Sequence, residues 1–266
     1  MKVIAINLST SGKTVGGASI ACELHTAHIK KQGVDIELWR MWSNDGIDCI
    51  NGLNIKSFKT KSLLNILKKV LPKRIISIFM YSNITKELLK IKPDIVHLHN
   101  ILPSFELLRI CKICKRNKIK IVITTHGFYE CFYPAYNFSL LEKYLWKFMV
   151  TFPVKKSFKF IDVFFSLYPM EAELLKKNKI KSGDIYLVPN GVDPFYETKP
   201  TKIEINNVLK KFNINPNNPI LFFTGNHTSN KGLDTIKELS RFLNIKSTIL
   251  IGGNLLNQEE PKLFCQ

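Results

Sequence analysis

The sequence is short of acidic residues. It holds 21 Asp and Glu against 39 Lys and Arg, which gives a formal net charge of +18. Such an excess of positive charge favours anionic partners such as phosphates, nucleic acids or an acidic lipid surface. A general abundance of lysine in the source proteome would explain the same number. Charge alone therefore selects no partner.

Long apolar runs and paired cysteines are also missing. No apolar stretch reaches the roughly 18–20 residues that a membrane-spanning helix needs, and Met1–Leu8 has no longer apolar region behind it. We therefore expect no export signal and a cytoplasmic protein, which agrees with six cysteines that follow no disulfide framework. Cys111 and Cys114 form a Cys-x-x-Cys pair inside a predicted helix, without the second pair that a zinc site needs, so no metal is expected.

Apolar runs alternate with amphipathic stretches of helix length along most of the chain, a pattern typical of an α/β fold with a parallel sheet and crossover helices. The predicted strands are Val3–Leu8, Val34–Trp39, Ile95–Leu98, Lys120–Thr125, Val163–Leu167 and Ile185–Val188. The predicted helices are Ala18–Lys31, Thr85–Lys90, Ser104–Lys115, Leu140–Phe148 and Pro169–Lys177. Several strands are almost continuous in apolar residues, as strands covered on both faces should be.

A cluster of Asn-Gly, Asp-Pro and Lys-Pro pairs in residues 190–200 predicts a break between two domains. After it, the pattern predicts a second unit made of a helix, a strand, a helix and a strand, at Asn206–Phe212, Ile220–Thr224, Leu233–Leu243 and Thr248–Ile251. Two strands and one crossover helix are too few for a finished domain. We therefore predict a Rossmann-like domain at residues 1–198 and an incomplete second one at residues 199–266.

The first strand-to-helix connection, residues 9–17, is rich in glycine. Gly16 and Gly17 precede a helix, where free backbone N–H groups and the helix dipole attract an anion. The connection is not a P-loop, because the first glycine of that motif would fall at Asn7, and the dinucleotide-binding glycine pattern is absent as well. A plain flexible loop is the alternative.

Polar side chains follow two predicted strands at their carboxyl ends. His97, His99 and Asn100 end one strand, and His126 with Gly127 follows the next. Ligands of doubly wound sheets bind beyond the carboxyl ends of the strands, so these residues are candidates for a binding site. Each histidine alone could instead be a structural group.

The second unit repeats the arrangement of a strand, a glycine-containing loop and a helix. Gly225 ends the strand, and Lys231 precedes the helix. The lysine could neutralise a diphosphate held by backbone N–H groups, although an ordinary solvated lysine is the alternative.

Taken together and in this order, the motifs resemble those of family 4 glycosyltransferases. The segments that carry the resemblance are Gly16-Gly17, Asp94–Asn100, Thr125-His126-Gly127, Val188-Pro189-Asn190-Gly191-Val192-Asp193 and Gly225 with Lys231-Gly232-Leu233-Asp234. They run over nearly the whole chain. The resemblance implies a retaining enzyme with a GT-B fold, in which two Rossmann-like domains face each other across a cleft.

The resemblance also implies roles for individual residues. His126 corresponds to the histidine that faces the transferring sugar, and Lys231 to the lysine that holds the nucleotide diphosphate. The other residues expected to contact the donor or the acceptor are Gly16, Gly17, His99, Asn100, Asn190, Gly225 and Asn226. The expected partners are a nucleotide sugar as substrate and a glycan or lipid-linked acceptor, with no cofactor and no nucleic acid.

Two departures from the family pattern keep other functions open. Asn226 stands where the family commonly has an arginine, and the family's later pair of glutamates has no counterpart. The alternatives are an inactive, truncated relative that binds an acceptor, a membrane or a partner, and a sugar-nucleotide epimerase of the same fold. The stretches Ser62–Phe79 and Leu140–Phe160 are basic and apolar, which would suit a peripheral position on the inner face of the membrane. Such a position would fit a role in cell-surface polysaccharide or lipopolysaccharide assembly.

Overall fold

The protein divides into two compact units, residues 1–191 and residues 192–266. The computed structural model describes residues 1–9, 16–50, 52–64, 66, 69, 73–133, 138–178, 180, 183–192, 194–225, 231–242 and 247–253. Most of the glycine-rich connection, at residues 10–15, and Asn226 lie outside the described residues. Among the described residues, no helix combines the length and the apolar character that crossing a bilayer requires.

The first unit is built on one twisted sheet. In spatial order, its strands are β10 (Asp184–Leu187), β9 (Val163–Ser166), β8 (Lys120–Thr124), β7 (Ile95–His99), β1 (Lys2–Asn7), β2 (Asp35–Trp42), β4 (Leu53–Lys59) and β3 (Gly46–Ile50). Every neighbouring pair is parallel except β3 with β4. The predicted α/β class with a parallel sheet is confirmed.

Strand β1 lies at the centre of the sheet, and the direction of strand addition reverses there. It pairs with β2 on one side and with β7 on the other. In doubly wound sheets the crevice outside the carboxyl ends of such a pair of strands is where ligands bind. A ligand-binding site is therefore expected at the carboxyl ends of β1 and β7.

Helices cover both faces of this sheet. They are α1 (Gly17–Lys31), α2 (Lys73–Ile78), α3 (Ile84–Ile91), α4 (Ser104–Arg116), α5 (Tyr129–Phe132), α6 (Leu140–Trp146), α7 (Phe152–Phe158) and α8 (Pro169–Lys177). Alternate residues of β1 enter different cores: Ile4 and Ile6 join the larger cluster, and Val3 and Ala5 join the smaller one with Cys22 of α1. The strand is buried on both sides, which explains its continuous apolar sequence.

A hairpin formed by β3 and β4 was missed by the sequence prediction. Leu53 and Ile55 of β4 are buried while Asn54 between them is exposed, so the strand alternates instead of being continuously apolar. All of β3 is exposed. Strands that are exposed on at least one face carry a weaker apolar signal than strands buried on both faces, and β4 has charged residues at Lys56 and Lys59 as well. The short strands β5 (Lys61–Ser62) and β6 (Met80–Tyr81) were missed for the same reason.

The helix predicted at Leu140–Phe148 is longer and less regular than expected. It begins with a capping box in which Ser139 and Glu142 bond each other's backbone N–H groups. It then widens into a π-helical turn at Lys147–Thr151 and continues as α7 to Phe158. Pro153 lies just after this turn, and proline cannot donate a backbone hydrogen bond, which accounts for the change of helix type there.

In the part that the structure describes, the second unit is a single βαβ element preceded by a helix. Strands β11 (Ile220–Thr224) and β12 (Thr248–Gly252) pair in parallel, and α10 (Leu233–Phe242) lies between them in sequence. Helix α9 (Lys202–Lys211) starts four residues before the predicted Asn206, because Thr201 and Glu204 form a capping box at its N-terminus. A short 3-10 turn, Pro194–Glu197, precedes it.

Candidate functional site

The carboxyl ends of β1 and β7 meet in register. Asn7 pairs with His99, the last residue of each strand, and the N–H of Leu8 donates to the carbonyl of His99 over 3.1 Å. The Asn100 side chain donates to Asn7 Oδ1 over 3.3 Å, and the backbone N–H of Ser9 donates to the same oxygen over 3.0 Å. The side chain of Asn7 thus ties together the two chain segments that leave the sheet at its switch point.

The end of β8 adds a third segment to this edge. Asn100, which follows β7, has a left-handed backbone with a φ of 70°. His126 and Gly127, which follow β8, are left-handed as well, with φ values of 53° and 100°. Glycine tolerates this left-handed region, and asparagine and histidine enter it more often than most other residues do. Both chain segments therefore turn sharply as soon as they leave the sheet, which brings His126 next to His99.

Four histidines gather at this point. His97 and His99 lie two residues apart on β7 and therefore share one face of the sheet, the face covered by α1. Their ring centroids are 4.2 Å apart, that of His126 is 5.3 Å from that of His99, and His25 of α1 lies 5.8 Å from His97. Hydrogen bonds join His99 Nδ1 to His126 Nε2 over 3.0 Å and His97 Nε2 to the hydroxyl of Thr124 over 2.9 Å.

Burial keeps these rings neutral. It lowers the pKa of His97 to about 3, with a smaller effect from the charges of His25 and His126. The pKa of His126 falls to about 4, mainly through burial and then through His25, and burial also holds the pKa of His99 well below its ordinary value. At neutral pH each ring can therefore donate one hydrogen bond and accept another, but carries no charge.

Glu171 fixes the loop that carries His126. This carboxylate is 1% exposed although it lies in the first turn of α8. Its Oε1 accepts from the hydroxyl of Thr125 and from the backbone N–H of Gly127 at 3.1 Å, so it binds the residues on both sides of His126. Its Oε2 accepts from the N–H of Leu167 at 2.9 Å and from the Ser166 hydroxyl at 3.5 Å. The carboxylate joins two loops at the same edge of the sheet.

The remaining predicted residues of the first unit lie elsewhere along the chain. Gly16 is the N-cap residue of α1, and Gly17 is its first residue, so both are placed at a helix N-terminus as predicted. The backbone N–H groups of Ser19 and Ile20 both donate to the carbonyl of Gly16. Asn190 is exposed, three residues after the end of β10.

In the second unit, Gly225 and Lys231 lie together. A Cβ atom placed on Gly225 would be 3.7 Å from Lys231 Cβ, and the N–H of Gly225 donates to the carbonyl of Gly252 over 3.0 Å. Lys231 is exposed and stands two residues before α10. The lysine therefore lies beside the residue that follows β11, while Asn226, the next residue in sequence, is outside the described part of the chain.

Sequence reasoning missed three residues of this site. Asn7 was considered only as the failed glycine of a P-loop, and no role at the site was predicted for Glu171. His25 gave no signal, because a histidine within an amphipathic helix is common. One signal in the sequence could have found Asn7: it is a polar residue at the end of an apolar run, and a buried amide needs a hydrogen-bonding partner.

Comparison with known proteins places this fold in a class. The chain resembles the catalytic domain of starch synthase IV from Arabidopsis thaliana bound to ADP and acarbose, with a TM-score of 0.62, 12% identity, and coverage of 96% of this chain and 69% of that one. It also resembles WaaG, a glycosyltransferase involved in lipopolysaccharide biosynthesis, with a TM-score of 0.62, 15% identity and coverage of 93% and 62%. The fold class is therefore that of the GT-B glycosyltransferases, as predicted.

A UDP-GlcNAc 2-epimerase from Neisseria meningitidis bound to UDP-GlcNAc is similar as well, with a TM-score of 0.50, 15% identity and coverage of 97% and 66%. The chain thus spans between 62% and 69% of the length of these three structures. Curated protein sequences give no significant match.

A sequence match identifies the family of this chain. The pattern of Glycosyltransferase Family 4 matches residues 15–195, more than half of the chain. The protein belongs to glycosyltransferase family 4.

Proposed function

We propose that the protein transfers a sugar from a nucleotide-sugar donor to a glycan or lipid-linked acceptor, with retention at the anomeric carbon. The observation that carries the proposal is the position of His126. Its backbone is held on both sides by Glu171, at the switch point of a family 4 fold. Ligands of such sheets bind at this edge.

His126 would act on the donor sugar as a neutral hydrogen-bonding group. Its Nε2 is bonded to His99 Nδ1, which leaves Nδ1 of His126 for a sugar hydroxyl. Because burial lowers its pKa to about 4, the ring brings no positive charge that would compete with charge developing on the sugar. Rate enhancement would then come from positioning and from stabilisation of the leaving diphosphate.

Lys231 is the residue proposed to meet that diphosphate. It is exposed beside Gly225, which follows the end of β11, and it stands two residues before α10, a helix whose N-terminal dipole would attract an anion. Lysine provides a point charge without the two-pronged geometry of arginine. We expect it to contribute to donor affinity more than to orientation.

Donor binding tests this proposal. Calorimetry with UDP-glucose, UDP-GlcNAc, GDP-mannose and ADP-glucose should give heat for at least one donor, and Lys231→Ala should weaken that binding about tenfold. Lys237→Ala, which removes another exposed lysine of α10, should leave binding unchanged. Absence of heat with all donors would refute transfer by this chain and favour the alternative of a non-catalytic acceptor-binding relative.

A second experiment tests the epimerase alternative. An epimerase is favoured by one observation, the similarity to the UDP-GlcNAc 2-epimerase structure. If the protein were an epimerase, incubation with UDP-GlcNAc and no acceptor would produce the C2 epimer, which proton NMR detects. A transferase would leave the configuration at C2 unchanged.

We further propose a cytoplasmic protein that rests on the inner face of the membrane, where lipid-linked acceptors of surface polysaccharide or lipopolysaccharide assembly occur. The helical stretch from α6 to α7 supports this. Its inner stripe is buried, and its outer stripe exposes large apolar side chains, with Leu140 85%, Tyr144 78% and Phe148 71% exposed. Lysines 147 and 156 are exposed on the same stretch, which suits an anionic lipid surface.

Vesicle co-sedimentation tests this second proposal. Binding should be stronger to vesicles containing phosphatidylglycerol than to neutral phosphatidylcholine, and Phe148→Ser should weaken it several-fold. Ile47→Ser on β3, where the side chain is 76% exposed, is the matched control and should have no effect. Equal binding to both kinds of vesicle would remove the proposal. The stretch Ser62–Phe79, named with it, lies partly outside the described residues and adds no support.

A further inference from the structure

Three of the clustered histidines have the arrangement of a metal site. His25, His97 and His99 each offer one ring nitrogen, and these nitrogens all lie within 4.8 Å of one another. They come from two elements that pack together, α1 and β7. His97 and His99 are buried, with 5% and 1% of their surface exposed, while His25 is half-buried.

The hydrogen bonds of the two buried rings leave one nitrogen of each available. His97 Nε2 is bonded to the hydroxyl of Thr124, so Nδ1 is the nitrogen that remains. His99 Nδ1 is bonded to His126, and His99 Nε2 is buried without any partner, alone among the buried side-chain nitrogens and oxygens of the described residues. A buried polar atom without a partner costs about 1–3 kcal/mol, so its presence calls for an explanation.

We infer that His25, His97 and His99 bind a divalent transition-metal ion, for which Zn²⁺ is the best match. Imidazole nitrogen suits zinc, and three histidines with one open position form a known type of zinc coordination. Tetrahedral ligands at the usual bond length lie about 3.4 Å apart, so rotation of the side chains would close the remaining gap. The ion would join α1 to the sheet and would satisfy His99 Nε2.

The surroundings of the three rings suit this role. A metal-bound histidine usually bonds its second nitrogen to a neighbouring group, which fixes the ring, and Thr124 and His126 occupy those positions for His97 and His99. Metal binding also requires neutral imidazoles, and burial lowers the pKa of all three histidines. The inference runs against the expectation of a metal-free protein, and it does not depend on the proposed sugar transfer.

Zinc binding by the purified chain, without a polyhistidine tag and after treatment with a chelator, tests the inference. Competition with a chromophoric chelator should give one Zn²⁺ per chain with a Kd below about 1 µM. Cys49→Ser and Cys265→Ser should be present throughout, so that thiols do not contribute. Co²⁺ in place of zinc should give the visible absorption bands of a tetrahedral site.

Single substitutions identify the ligands. His25→Gln should weaken zinc binding at least about 100-fold, since loss of a mere outer-shell partner already costs 10–100-fold. His28→Gln changes an exposed histidine one turn further along α1 and should bind zinc like the parent chain. His99→Gln serves as a second ligand variant, and equal melting temperatures in chelator would show that the variants are folded. Binding weaker than about 100 µM, or equal binding by His25→Gln and His28→Gln, would overturn the inference.

Discussion

Replacement of Glu171 is the perturbation for which the structure gives the clearest expectation. In Glu171→Gln, one oxygen becomes an NH₂ group. Whichever side that group takes, it meets a backbone N–H, either that of Gly127 or that of Leu167, and one charge-assisted bond is lost. Such bonds contribute about 1.5–3 kcal/mol, so we expect a loss of about 2 kcal/mol in the free energy of unfolding.

Glu171→Ala removes both oxygens and leaves a cavity beside α8. Two backbone N–H groups and the hydroxyl of Thr125 then lose their acceptor together, while the Ser166 hydroxyl keeps its 2.8 Å bond to the Tyr168 carbonyl. We expect a loss of about 3–5 kcal/mol, near the upper range for single substitutions. The alanine variant should therefore unfold at a clearly lower urea concentration than the glutamine variant.

Urea denaturation followed by circular dichroism measures both effects, and Glu173→Gln is the matched control. Glu173 lies two residues further along α8 and is exposed, so its replacement should change the stability by less than about 0.5 kcal/mol. NMR of the imidazole protons adds a readout of position: those of His126 should shift in Glu171→Gln, and those of His28 should not. Equal midpoints for Glu171→Gln and Glu173→Gln would refute the reasoning.

Two further predictions concern the first unit. In a Cys265→Ser chain, a thiol reagent should modify one cysteine in the native state, Cys49, because the other four cysteines are buried; fast reaction of a second thiol would contradict this. Gly183→Ala should lower stability by more than about 2 kcal/mol in the same urea experiment, since φ is +81° and the new Cβ would lie 2.2 Å from the carbonyl oxygen of Asp162. Gly46→Ala, with open space around it, is the control and should be almost neutral.

The central strands could be predicted from the sequence because they are apolar on both faces. The predicted Val3–Leu8 differs from β1 by one residue at each end, and the predicted Lys120–Thr125 differs from β8 by one residue at its carboxyl end. Helix α8 was predicted with both of its bounds, since Pro169 marks its start. The edge strand β3 and its half-buried neighbour β4 were missed because exposure lets polar residues enter them.

The residues of the candidate site, too, could be predicted only in part. His97, His99, Asn100 and His126 were predicted to lie near one another, because the carboxyl ends of parallel strands share one edge of the sheet. The roles of His25 and Glu171 could not be predicted, since they depend on which way two helices turn their side chains. Periodicity in sequence gives the buried face of a helix, but it does not give the partner of an individual polar group.

The central position of β1 has a consequence for synthesis of the protein on the ribosome. Asn7 pairs with His99, so the partner of the first strand is made 92 residues later. At 5–20 residues per second, this corresponds to a delay of about 5–18 s in which one edge of β1 stays unpaired. Its apolar side chains are exposed over that time, and such edges invite association with other chains. A nascent chain of this protein that ends before β7 should therefore depend on chaperones, whereas one that extends beyond β8 should not.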